Sequence, residues 1–148
     1  HKTPIHVTLV PPFALQEDFS TGDLVSAIEK YVLPQNLGFL AHIENFDAFG
    51  DRTIFANVIS SEKWTKLRDE TVKAILKTCP GCTKNDHRPF YPHGTIANRD
   101  IPLGVMKKAL ETMNELNLVE DFPVDNITIF ERQGFCWEAV VSIPLKCE

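Results

Sequence analysis

No run of about 18 apolar residues occurs in the 148-residue chain, so no transmembrane helix is expected. The opening His1-Lys2-Thr3-Pro4 is not a signal peptide. A basic excess is missing as well: 15 Lys plus Arg stand against 20 Asp plus Glu, a formal net charge of −5. Without a global positive field the protein is not expected to hold long duplex nucleic acid, and any polyanionic ligand must be met by local groups. Cysteine is scarce. Cys79, Cys82, Cys136 and Cys147 are too few for a disulfide-stapled mini-protein and are expected to be incidental thiols. What is present, 43% hydrophobic and 24% charged residues, fits one compact domain and excludes a disordered, collagen-like or coiled-coil chain. A cytoplasmic monomer is the expectation. A start at His1, only five residues before the first informative motif, leads us to expect that a natural N-terminal segment is missing.

Ile5, Val7 and Leu9 alternate with His6, Thr8 and Val10, the pattern of a strand that Pro11-Pro12 ends. Ser20 or Thr21 then caps a helix with Leu24, Ile28, Tyr31 and Val32 on one face, stopping near Pro34. A hairpin is predicted from the runs Gly38 to Phe46 and Arg52 to Ser60 around Gly50-Asp51. Ser61 starts a long helix with Trp64, Leu67, Thr71 and Ile75 on one face, ending before Pro80-Gly81. The second half repeats this order: a strand from His93 to Ala97, a helix with Pro102 in its first turn, and strands from Pro123 to Glu131 and Phe135 to Pro144. The strand pairs match in detail, Phe49-Gly50 with Phe130 and Gly134, Val58 and Ser60 with Val140 and Ser142. The prediction is an α+β fold, a single two-lobed domain over 1–148 with lobes of about 1–60 and 90–148 joined by helix 61–79. Internal duplication makes it pseudo-symmetric, with the two leading strands meeting at the centre.

Those leading strands read His6-Val7-Thr8-Leu9 and His93-Gly94-Thr95-Ile96, each a His-x-Thr followed by an aliphatic residue. With five histidines in the chain, about 0.06 chance matches are expected, so two in register are a strong signal. On a strand, residues i and i+2 share a face, so His6 joins Thr8 and His93 joins Thr95 while Val7 and Leu9 enter the core. Pseudo-two-fold symmetry sets two imidazoles across one cleft, each with a hydroxyl beside it. That set suits a phosphodiester, whose displacement needs a base at the attacking oxygen and an acid at the leaving one. Imidazole serves in either role near neutrality. Thr8 and Thr95 are placed to donate to non-bridging phosphate oxygens. Neither a metal ion nor a cofactor is required.

At these residues the sequence resembles the two-histidine (2H) phosphoesterases, the LigT-like superfamily that includes the 2′-5′ RNA ligase family. The resemblance rests on His6-Val7-Thr8-Leu9-Val10-Pro11-Pro12-Phe13 and Tyr91-Pro92-His93-Gly94-Thr95-Ile96-Ala97, and the repeated element order extends it over nearly the whole chain. It implies a bilobal, internally duplicated α+β fold with antiparallel sheets lining a central cleft. It also implies hydrolysis or transfer at a 2′ phosphodiester, commonly a 2′,3′-cyclic phosphate opened to a 2′-phosphate, at an RNA terminus or in a small nucleotide. Under it His6 and His93 are the acid/base pair, and Thr8 and Thr95 hold the phosphate. Members usually carry a strand and a helix before the first motif, and Gly94 stands where an aliphatic residue is usual.

Substrate-binding candidates are Phe13 after the Pro-Pro turn, Tyr91 before the second motif and Arg99 after it, since an aromatic stacks on a base and an arginine pairs with phosphate. For these three, plain packing weighs about equally; for Phe46, Phe49 and Trp137 packing is favoured. Arg52 and Arg132 sit near the two equivalent hairpin turns, where charges are usually solvated. Cys79-Pro80-Gly81-Cys82 has the spacing of a redox motif or half a zinc site, with His87 as a third ligand. Its position after a helix end, where the dipole raises a thiol pKa, argues against redox chemistry. His42 lacks a hydroxyl two residues on and reads as incidental. Other functions to weigh are RNA-end joining or 2′-5′ oligonucleotide cleavage, a nucleotide-binding module without turnover, and a thiol redox protein.

Overall fold

The computed structural model describes residues 6–50, 53–85, 88–98 and 105–147, with the side chains of 95–98 outside the description. Helix α1 (Thr21–Ala27) begins where Ser20 accepts the Asp23 N–H and the Asp23 carboxylate accepts the Ser20 N–H, a reciprocal cap. It runs on through a π-helical turn (Ile28–Val32) and a 3-10 turn (Leu33–Gln35). Pro34 brings no N–H to this turn, and Asn36 closes it by donating its side-chain amide to the Val32 carbonyl at 2.9 Å. Helix α2 (Glu62–Thr78) is capped by Ser61, which accepts from the Trp64 N–H, as the sequence predicts.

Four strands make one antiparallel sheet in the order β3-β2-β1-β4: β1 is Phe39–Phe49, β2 Thr53–Val58, β3 His93–Asn98 and β4 Val119–Val124. Between β3 and β4 lies α3 (Met106–Asn114). The remaining strands, β5 (Asn126–Gln133) and β6 (Cys136–Pro144), form a separate two-stranded ribbon. The larger sheet therefore takes strands from both sides of α2.

The core lies on one face of that sheet. Ala27, Ile28 and Val32 of the first helical segment and Trp64, Leu67 and Ala74 of α2 pack against Ala41, Val58 and Val124 of the sheet and Ile127 and Ile143 of the ribbon. Burying such side chains contributes about 1.5–3 kcal/mol each for the larger ones. The opposite face is left for other work.

Several expectations change. The first leading strand is not a ladder: between Val7 and Gly94 there is one isolated antiparallel bridge, while Ile5 is outside the described residues. The segment predicted as one strand from Pro123 to Glu131 is two, β4 and β5, broken at Asp125. Only the last two residues of β4 fall within that segment, because its run Glu120-Asp121-Phe122-Pro123 is charged and carries a proline. As a sheet edge it tolerates both. Pro102 and the expected first turn of its helix lie outside the described residues.

Cys79 and Cys82 are not incidental thiols. They form a disulfide across the Pro80-Gly81 turn, which brings their Cα atoms to 5.5 Å. The bond lies buried in a small second cluster with Leu24 and Ile75, onto which Val10, Phe13, Leu15 and Phe19 pack. Bonded sulfurs are not thiolate ligands, and His87 is outside the described residues. Cys136 and Cys147 are free and exposed.

Candidate active site

A β-bulge decides what the uncovered sheet face carries. Along β1, Ile43 pairs with Val58 and Phe46 with Ala56, so β1 holds one more residue than β2 over this stretch, and Asn45 takes a positive φ of 58°. Before the bulge Ala41 and Ile43 point into the core; after it, core-side Ile54 is matched by Ala48, and Asp47 and Phe49 fall on the other face with Phe55 and Thr53. Asn114 at the end of α3 holds the bulge, accepting the Phe46 N–H at 2.9 Å and donating to the Phe46 carbonyl.

The same alternation organises β3 and the segment before the Pro-Pro turn. Ala56 pairs with Gly94, and Gly94 is bridged by Val7, so one row runs along the core face. Val7 and Leu9 pack against the core while His6 and Thr8 are exposed. On the other face Asn57 pairs with His93. Extending the antiparallel register one residue each way from the Val7–Gly94 bridge sets Thr8 against His93 and His6 against the Thr95 position. His6 and His93 then stand diagonally across this bridge.

Each imidazole is held by rings. His6 stacks on Phe130 of β5 at a centroid distance of 5.0 Å, so its segment touches both β3 and the ribbon. His93 meets Phe49 at 5.0 Å and Phe55 at 5.2 Å, both edge-on. The Tyr91 carbonyl lies 3.0 Å from His93 Nδ1, and a carbonyl only accepts. Nδ1–H is therefore the donor in this contact, and Nε2 is the ring nitrogen that it leaves for other partners.

The backbone ahead of His93 is anchored from α2. Arg68, only 6% exposed, donates from its guanidinium to the Arg88 carbonyl at 2.7 Å and lies 5.2 Å from the Phe90 ring centroid. Its Nε reaches Asp69 at 2.7 Å. Ser60 donates to the Phe90 carbonyl at 3.1 Å.

His6, Thr8, His93 and Tyr91 are thus gathered on or beside one face. The Thr95 side chain and all of Arg99 lie outside the described residues, as does Arg52. Phe13 packs into the disulfide cluster and lies away from the His93 pocket. Phe49, for which packing was favoured, is 50% exposed and lines the pocket beside His93. The missing signal was the break in alternation between Ile43 and Phe46. Arg132 caps the β5–β6 turn by donating from Nε to the Gly134 carbonyl.

His42 is more than incidental to the sheet. It lies opposite Asp121 on β4, its Nδ1 hydrogen-bonded to that carboxylate and its Nε2 3.3 Å from Glu44. The Asp121 hydrogen bond, aided by Glu44 and the charge of both carboxylates, raises the His42 pKa above its usual 6.5. It lies on β1 before the bulge, on the same uncovered face as Asn57 and His93 and about two residues along from their row. Among the described residues no group of three or more His, Cys, Asp or Glu is placed to hold a metal ion, and no helix is long and apolar enough to cross a membrane.

Comparison with known proteins gives one family. The sequence model of the 2′-5′ RNA ligase superfamily matches residues 1–134. No curated protein sequence matches. Among solved structures, TT0787 of Thermus thermophilus has a TM-score of 0.68 at 17% identity, covering 97% of this chain and 79% of that one. A structure described as a phosphoesterase has a TM-score of 0.57 at 17% identity, with 96% and 77% covered. E. coli LigT complexed with 3′-AMP has a TM-score of 0.59 at 17% identity, with 95% and 76% covered. These likenesses give the chain the mixed helix and antiparallel-sheet fold of LigT-like proteins.

Proposed function

Since the chain belongs to the 2′-5′ RNA ligase superfamily, we propose that it is a metal-independent phosphoesterase acting on 2′,3′-cyclic or 2′-5′ phosphodiesters of RNA ends or small nucleotides. One observation carries the reading. The Val7–Gly94 bridge relates the two His-x-Thr segments in antiparallel register, with His6 and His93 on one strand pair. The 3′-AMP bound to LigT supports a nucleotide as the substrate class.

In the reaction, one imidazole takes a proton from water as the water oxygen attacks phosphorus. The bond from phosphorus to the ribose 3′ oxygen breaks, and the other, protonated imidazole gives its proton to that oxygen. The product is a 2′-phosphate and a free 3′ hydroxyl, and the turnover leaves the base imidazole protonated and the acid imidazole neutral, a net shift of one proton from acid to base. His93 works through Nε2, because Nδ1 is engaged by the Tyr91 carbonyl. Thr8 and Thr95 donate to the non-bridging oxygens, where charge builds in the transition state.

Hydrolysis of the four nucleoside 2′,3′-cyclic phosphates in EDTA, followed by phosphorus NMR from pH 5 to 9, tests the reading. The expected result is conversion to 2′-phosphates with a bell-shaped pH profile. His6→Ala and His93→Ala should each abolish turnover with unchanged circular dichroism. An active His6→Ala protein would overturn the assignment.

A further inference from the structure

Next to His93 lies a pocket of about 350 Å³, walled by Phe49, Phe55, Asn57, Tyr91 and Pro92, with Asp47 on its rim. We propose that this pocket holds the nucleobase and that Asp47 and Asn57 select bases bearing an exocyclic amino group over uracil. The inference deepens the phosphoesterase reading and rests on it for the placement of the phosphate.

Charge orients the substrate. Asp47 is the one charged residue among the described residues lining the pocket, so a phosphate is repelled there and goes to the histidines. Two rings remain open for stacking, Phe49 at 50% and Tyr91 at 69% exposure, with Phe55 buried beneath them. Phe49 and Phe55 both touch the His93 ring, so a base among them stays within a nucleoside's length of the proton-transfer atoms. Stacking holds any base. The choice among bases needs hydrogen bonds.

Two groups are placed to make them. The Asp47 Oδ1 accepts the Ala48 N–H at 2.8 Å, which fixes the carboxylate and leaves its second oxygen for a ligand. Asn57 is half-buried beside His93 on the neighbouring strand, and its amide has no hydrogen-bond partner among the described residues. A carboxylate only accepts, whereas an amide both donates and accepts. Cytosine presents an amino group beside an unprotonated ring nitrogen, which suits Asp47 as acceptor and Asn57 as donor. Uracil offers one N–H flanked by two carbonyl oxygens, which the carboxylate repels. Adenine matches cytosine in this pattern, and guanine turns an N–H and an amino group toward a carboxylate.

The test compares cytidine and uridine 2′,3′-cyclic phosphates, equal in size and different at this edge, with calorimetric binding of cytidine and uridine 2′-monophosphates in parallel. The native protein should favour cytidine by about tenfold or more, expressed in KM and in binding rather than in kcat. Asp47→Asn, nearly isosteric, should erase or reverse the preference, because an amide donates to one uracil oxygen while accepting its N–H. Asn57→Ala should weaken cytidine binding while leaving the thermal midpoint close to that of the native protein. Equal KM for both substrates, or a preference unchanged by Asp47→Asn, would overturn the inference and leave the phosphoesterase reading standing. Should neither substrate turn over, that reading falls and calorimetry decides: selective binding lost in Asp47→Asn upholds the base pocket, and indifferent binding overturns it.

Discussion

Replacing Arg68 by Met removes a buried guanidinium while keeping a side chain of similar reach, and the loss follows from its three contacts. The hydrogen bond to the Arg88 carbonyl is charge-assisted and buried, and its loss costs about 1.5–3 kcal/mol. The Phe90 ring contact adds about 0.5–2 kcal/mol. The Asp69 pair counts for about 0–1 kcal/mol, because the Asp69 side chain is 43% exposed and screened by water. Apolar burial by methionine offsets part of this, so the net expectation is about 3 kcal/mol. For a chain of this size that lowers the thermal midpoint by about 6–12 °C. Calorimetric or circular-dichroism melts measure it directly. Since Arg68 fixes the backbone from Arg88 to Phe90, just ahead of the carbonyl that orients His93, kcat should also fall, by about tenfold, at a temperature where both proteins are folded. A midpoint shift below about 2 °C would refute the view that this arginine anchors the approach to β3.

Two other outcomes follow from the sheet edge and the cysteines. The raised pKa of His42 means the folded state binds its proton more tightly than the unfolded chain, so the stabilisation is fully present below pH 6.5 and is lost as pH rises through the folded value. Thermal midpoints of native and His42→Gln proteins should differ at pH 6 and converge toward pH 9, and a constant difference would sink the Asp121 pairing as its cause. Thiol titration of unreduced, denatured protein should find two reactive groups, Cys136 and Cys147, rather than four. Reduction should cost about 2 kcal/mol by loop entropy, since the bond closes only a short loop. Four thiols in the unreduced protein would remove the disulfide.

Local pattern was enough for the helices, because their signals are contained within a few residues. Ser20 and Ser61 cap α1 and α2 where the sequence places them, and Leu24, Ile28, Val32, Trp64, Leu67 and Ile75 are buried as their spacing requires. The face shared by His6 and Thr8 was also legible, since alternation alone puts Val7 and Leu9 inward. Tertiary structure decided what lies around them. The bulge at Asn45 inverts the facing of β1 and brings Phe49 and Asp47 beside His93, an effect that depends on pairing with β2 and on Asn114 from a distant helix. Phe13, equally aromatic and nearer a motif, is drawn into the cluster around the disulfide. β4 forms despite its charges and Pro123 because β1 offers a free edge. The bond between Cys79 and Cys82 exists because the turn after α2 folds back, which spacing permits and only the chain's path brings about. The sequence by itself determined the two His-x-Thr spacings and the face that His6 shares with Thr8; three-dimensional pairing, which no local period encodes, brought the two segments together and decided which aromatic and polar groups stand next to them.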